Sequence, residues 1–254
     1  MNHQMKKRIL FIGILLSLVV IVSAQQYTGM TGLIHSPSAD MNEKGNAQVG
    51  IHFMNKHFVP EDVFTYNGER YNTSTHYLNI TPYSWIELGY TCTLMKGSKD
   101  GKTGFYHKDR YFSIKIRPLK EDKWWPSIAV GSNDPITTSK NKDNENVVEE
   151  KRNMIFCNYY MAVTKHFNIS NSSLGVHLAY RHWKRSYNSK WNGMVGGITF
   201  RPAFASNLRV IAEYDGDGVN TGIDGLLWKH LFLQVSLQKG KFLSGGICFQ
   251  INLF

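Results

Sequence analysis

What most constrains the fold is an apolar/polar alternation of period two that recurs from residue 46 almost to the end, in runs of roughly ten residues. In the clearest run, Leu231, Leu233, Val235 and Leu237 interleave with Phe232, Gln234, Ser236 and Gln238. Leu174, Val176, Leu178 and Tyr180 alternate with Gly175, His177, Ala179 and Arg181, and Phe112, Ile114 and Ile116 with Tyr111, Ser113, Lys115 and Arg117. Each run has one apolar and one polar face, with charged groups in mid-strand. Helical periodicity is hard to find after residue 25.

Segmenting at the turn signals predicts strands at 46–54, 73–81, 84–95, 109–118, 125–132, 153–163, 173–181, 192–200, 207–214, 218–226, 230–238 and 243–253. Their mean length, about ten residues, is nearly double the usual globular strand and fits a tilted membrane-spanning one. Connections alternate in the first half: 55–72, 96–108 and 133–152 are long, whereas Pro82-Tyr83 and 119–124 are short. Long external loops and short periplasmic turns are the habit of outer-membrane barrels, and an even strand count places both barrel ends in the periplasm. Trp85, Trp124, Trp125, Trp183, Trp191 and Trp228, with Tyr66, Tyr71, Tyr187 and Tyr214, fall near strand ends, where membrane barrels carry two aromatic girdles. The expected fold is therefore all-β: a transmembrane antiparallel outer-membrane β-barrel of about twelve strands. A secreted β-sandwich with exposed aromatics is the alternative.

The N-terminus agrees with export. Lys6-Lys7-Arg8, the apolar Ile9 to Val22 and the small-residue Val22-Ser23-Ala24 read as a cleaved signal peptide over 1–24. The expected organisation is then a periplasmic or lumenal strap at 25–45 and a barrel at 46–254. Cys92, Cys157 and Cys248 lie in alternating runs and read as small hydrophobes, with no disulfide framework. Cleavage lowers the net charge from +10 to about +7. A basic exported protein suits anionic partners such as an acidic polysaccharide or lipopolysaccharide in the outer membrane, with a periplasmic or surface protein also open; nucleic acid is not expected there.

The strap itself, "GMTGLIHSPSADMNEKGNAQVG", resembles the N-terminal signature of the YjbH family of outer-membrane proteins linked to exopolysaccharide production. Thr31-Gly32-Leu33-Ile34, then Pro37-Ser38-Ala39, then Gly45 lead into the first strand. "RVIAEYDGDGVNTGI" resembles the same family's Glu-Tyr-Asp-Gly hairpin and Asn-x-Gly, here Glu213 to Gly216 and Asn220 to Gly222. The resemblance implies a role in exopolysaccharide export or surface display. Gly29, Gly32 and Gly45 with Pro37 suit an extended, turning strap that either plugs the lumen or stays a free tether.

With the apolar faces toward lipid, Lys115, Arg117, Arg181, Arg209, Glu87, Glu213 and Gln234 become the candidate ligand-binding residues of the lumen. Arginine pairs carboxylates bidentately and amides bond hydroxyls, so such a lumen fits a porin-like narrow pore for an acidic glycan. In the competing reading the acids neutralise the cations in a closed interior, and the loops bind a partner. No cofactor, metal site or catalytic residue is expected, and the protein is not expected to be an enzyme. His52/His57 and His177/His182 are five apart, on opposite strand faces, and no motif singles out His76, His177 or the serines near Ser172 for a lipid hydrolase. Asp215-Gly216-Asp217-Gly218 reads as a tight hairpin turn, since it lacks the remaining ligands of a calcium loop.

Overall fold

The computed structural model describes residues 25–138 and 154–254. The expected signal peptide, and most of the connection expected at 133–152, lie outside the described residues. Strand β1 (Asn46–Met54) leads into a loop with a two-rung hairpin, β2 (Thr65–Tyr66) and β3 (Glu69–Arg70). The wall continues through β4 (Thr73–Tyr83), β5 (Ile86–Lys99), β6 (Lys102–Leu119), β7 (Ser127–Thr137), β8 (Asn158–Ile169) and β9 (Ser172–Trp183). It is completed by β10 (Gly193–Arg201), β11 (Leu208–Tyr214), β12 (Val219–Leu227), β13 (Leu231–Gln238) and β14 (Phe242–Asn252). Each strand pairs antiparallel with its sequence neighbour, and β1 closes the ring on β14, Gln48 facing Gln250. The result is a closed barrel of twelve strands. Closure satisfies every wall strand's backbone on both sides, which a sheet in lipid requires.

The alternation dictates which way the wall faces. Each of the twelve strands exposes large apolar side chains outward, among them Val49 in β1, Leu78 in β4, Leu178 in β9, Ile198 in β10 and Val235 in β13. A continuous apolar belt of this extent matches hydrocarbon and would aggregate in water. Inward positions hold buried polar groups: Gln48, His52, Glu87, Lys115, His177, Arg181, Arg209, Glu213 and Gln234.

Two details differ from the sequence expectation. The expected loop at 96–108 is instead the far end of one hairpin, β5 running to Lys99 and β6 starting at Lys102, and β8 begins at Asn158. Cross-strand pairing carries the polar residues there, so polarity alone misplaced the boundary. The exposed tryptophans of the expected girdle also lie at one end only, although Tyr214 is exposed at the other. Trp85, Trp124, Trp125 and Trp228 are exposed at the end with short turns, but Trp183, Trp191 and Tyr71 are buried at the loop end. There Phe58, Val59, Val63 and Phe64, from the loop between β1 and β4, fold inward with Ile155, Phe156, Trp183 and Trp191 into an apolar cap over the lumen.

Candidate functional site in the barrel lumen

The lumen is filled by the chain's own strap. From Gly45 at the turn end it enters the barrel, climbs to the cap and turns back, so that Gln25 lies beside Gln48 and Tyr77. Tyr27, Met30, Leu33, Ile34 and Ala39 are buried, as are Gln25, Gln26, Thr28, Thr31, His35, Ser36 and Ser38. Burying Met30, Leu33 and Ile34 stabilises the plug by about 1.5–3 kcal/mol each. The tight fold needs glycine at position 29, where φ is +80° and an added Cβ would overlap the Tyr77 ring.

Irregular backbone inside a barrel leaves N–H and C=O groups without ladder partners, so the wall must supply them. Two carboxylates and two cations do most of this. Glu213, on β11, accepts the N–H of Ile34 (3.0 Å), His35 (2.9 Å) and Ser36 (3.0 Å), while Asn220 on β12 donates to it at 2.9 Å. Glu87, on β5, accepts from the N–H and the hydroxyl of Thr31, both at 2.7 Å, and from Asn79 at 2.7 Å. Lys115 on β6 pairs with Glu87 at 3.2 Å and donates to the Thr31 carbonyl at 2.8 Å, both side chains fully buried. Arg181 on β9 donates to the carbonyls of His35 (2.7 Å), Asp215 (3.0 Å) and Trp191 (3.3 Å), with its guanidinium over the Trp183 ring.

Three candidate lumen residues do other work. Arg209 forks onto Asp224 across β11 and β12, at 2.7 and 3.2 Å. Gln234 accepts from His52 Nε2 at 2.8 Å, and His52 fits because Gly246 opposite has no side chain. Arg117 is half-buried at the turn end, where it donates to the Ser84 carbonyl at 2.6 Å. All four candidate cations thus have protein partners, and among the described residues no row of unpaired cations faces a channel.

Near the cap, His35 stacks on Tyr27 (4.9 Å) and sits against Phe58, Trp183 and Trp191, with Nδ1 3.4 Å from Asp215 Oδ2. Burial, reinforced by the Arg181 charge, pushes the His35 pKa down to about 4, so the ring is neutral at neutral pH. Burial works to raise the Asp215 pKa, but hydrogen bonds from His35, Asn220 and the Asp217 N–H outweigh it and hold the carboxyl below its usual range. Asp215 Oδ1 accepts the N–H of Asp217 and Gly218, both at 2.9 Å, closing the turn between β11 and β12. The sequence offered no sign of His35, Asp224 or Asn220 as partners, since each meets its mate through the closed sheet or across the lumen.

An antiparallel barrel with an apolar outer wall and a polar, plugged interior defines a β-barrel of the outer-membrane type. The family is equally direct. The model of the YjbH family, whose description reads "Exopolysaccharide biosynthesis protein YbjH", matches residues 24–253, and the chain belongs to that family. No curated protein matches the sequence significantly. Among solved structures, the outer membrane phospholipase A from Escherichia coli aligns at 12% identity and a TM-score of 0.35, over 83% of this chain and 98% of its own. The Salmonella typhi outer membrane phospholipase dimer with bound calcium aligns at 11% and 0.35, over 83% and 92%. Nothing is transferred from either enzyme at that distance.

Proposed function

We propose that this YjbH-family barrel serves exopolysaccharide export or surface display as a closed outer-membrane element, with its turn end in the periplasm, and that it does not conduct a glycan while its strap is docked. The observation that carries this reading is the anchoring of residues 31–36 by Glu87, Lys115, Arg181 and Glu213. The groups that would line a glycan path are the groups that hold the plug. An acidic polysaccharide or lipopolysaccharide would instead meet exposed loop-end cations such as Lys99, Lys102, Lys108 and Lys184. No catalytic role is assigned to any residue.

The test is conductance in a planar lipid bilayer. Wild-type protein should be silent, while Glu87→Gln/Glu213→Gln, shown to be folded by a shift on a detergent gel between unboiled and boiled samples, should give channel openings. In cells lacking the protein, both forms should return it to the outer membrane, and wild type should restore surface exopolysaccharide. Stable wild-type channels of glycan size would overturn the closed-barrel reading; unchanged surface exopolysaccharide on removal of the protein would overturn the export role.

A further inference from the structure

One cluster near the turn end takes no part in those anchors. Asp40 of the strap, His166 of β8 and His177 of β9 bring a carboxylate and two imidazoles together, one donor atom from each lying within 4.8 Å of the others. Asp40 Oδ1 is 3.7 Å from His166 Nε2 and Oδ2 is 3.8 Å from His177 Nδ1. Both separations exceed hydrogen-bonding distance. The Asp40 carboxylate is only 14% exposed.

The far side of the His166 ring fixes its tautomer. His166 Nδ1 lies 2.7 Å from Glu121 Oε2, and because a carboxylate only accepts, Nδ1 carries the proton. In the neutral ring Nε2 then presents a lone pair to Asp40. His177 is 3.0 Å from the hydroxyls of both Thr164 and Thr199. Thr164 Oγ1 accepts the Ala39 N–H and can still either donate to or accept from Nδ1, as Thr199 can with Nε2, so the ring is able to carry its proton on Nε2. In that tautomer Nδ1 is the acceptor nitrogen on the Asp40 side, open to an ion once the Thr164 hydroxyl turns its hydrogen away. With both rings in these neutral forms, two imidazole lone pairs and a carboxylate converge, an arrangement that a cation relieves.

We infer that Asp40, His166 and His177 form a binding site for a divalent transition metal of the zinc type, which clamps the strap to the barrel wall. A set of two nitrogens and one oxygen suits such an ion better than magnesium or calcium, which prefer all-oxygen shells. Bonds of about 2.0–2.2 Å at tetrahedral angles put ligand atoms about 3.4 Å apart, so donor atoms that now lie within 4.8 Å of one another must draw in by up to about 1.4 Å around an ion. The outer shell is built as metal-binding histidines require. Glu121 orients His166, and Thr199 orients His177. His166 is 35% exposed, which gives an ion a way in from the turn end. The ligands come from three separate segments, so the ion ties strap to wall independently of whether the barrel conducts.

The experiment titrates Zn²⁺ into the chelator-stripped, detergent-folded full chain against a chromophoric competitor. Wild type should bind one equivalent. Asp40→Asn and His166→Gln, both at partly exposed positions and each checked for the gel shift of a folded barrel, should weaken binding by at least about 100-fold. Glu121→Gln, a positioning change, should weaken it by about 10- to 100-fold. Zn²⁺ should also slow tryptic cleavage after the exposed Lys44 in wild type and leave Asp40→Asn unaffected. Absence of stoichiometric binding, equal binding by the Asp40 and His166 variants, or cleavage indifferent to Zn²⁺ would each overturn the inference.

Discussion

Glu213→Gln tests how the plug is held, because it changes one charge and almost no volume. In the wild type a single carboxylate oxygen, Oε2, accepts from three consecutive strap amides, Ile34 at 3.0 Å, His35 at 3.1 Å and Ser36 at 3.0 Å. The other oxygen, Oε1, shares the His35 N–H at 2.9 Å and accepts from Asn220 at 2.9 Å. Glutamine has one acceptor. If its oxygen stays with the strap, its NH2 opposes the Asn220 NH2, and Asn220 cannot flip freely because its Oδ1 accepts the Lys239 N–H at 2.9 Å. Three bonds lose their charge assistance, at about 1 kcal/mol each, so local docking weakens by about 3 kcal/mol, roughly 100-fold in the open population. Hydrogen exchange read by mass spectrometry in detergent gives that ratio directly. The Ile34, His35 and Ser36 amides should exchange roughly 100-fold faster, with the wall strands unchanged. Wild-type protection in a folded variant would refute the claim that Glu213 anchors the strap.

Three further outcomes follow from the same geometry. Glu87→Gln leaves the fully buried Lys115 ammonium without its counter-ion and should destabilise the protein to urea by about 3–5 kcal/mol; adding Lys115→Met should restore much of the loss, whereas equal stabilities would argue that the pair is inert. His35 is held neutral when docked, down to about 4, but titrates near 6.5 when released. The released strap therefore gains the proton first as pH falls, so docking is fully favoured above about 6.5 and weakens from there toward 4, by roughly 30-fold at pH 5. Tryptic cleavage after Lys44 at pH 7.5 and pH 5 reads this, and His35→Gln should remove that part of the difference. Gly50→Ala should cost about 1–3 kcal/mol in urea unfolding, because its Cβ would overlap the Tyr77 ring end and lie 2.8 Å from the Ile247 carbonyl; a smaller loss in a Tyr77→Leu background is expected, and no loss would refute the packing.

Why some of this was legible in the sequence and some was not has a physical basis. A barrel wall is written locally, because every inward or outward position is set by parity along one strand. Parity placed Gln234, Glu87, Lys115, Arg181 and Glu213 on the inner face, and it marked all twelve wall strands. It could not say what those side chains would meet. A lumen is shared by every strand and by whatever enters it, so partners lie far apart in sequence: Thr31 with Glu87, His35 with Arg181, Asp40 with His166 and His177. Histidines compared only with their near neighbours, as His177 with His182, point to opposite faces; their relevant neighbour is on the strap. The same limit explains Trp183 and Trp191, whose place near strand ends fits an interfacial girdle as well as an inward cap.

One pairing was half visible. The two stretches that resemble the YjbH family, around residues 31–45 and 209–223, gave no sign in the sequence of why they should occur together. In the folded barrel they are one structure. Glu213 receives the amides of Ile34, His35 and Ser36, Asp215 meets His35, and Asn220 braces both acids at 2.9 and 3.1 Å. A Glu-Tyr-Asp-Gly turn followed by Asn-x-Gly thus does more than reverse the chain between β11 and β12. It places two carboxylates and an amide on the lumen face at the height where the strap turns, and Gly222 there leaves room for Ile34, whose Cδ1 lies 3.0 Å from where a Cβ would stand. Changing either stretch alone should release the other, so the strap and this hairpin act as a single plug-and-socket unit.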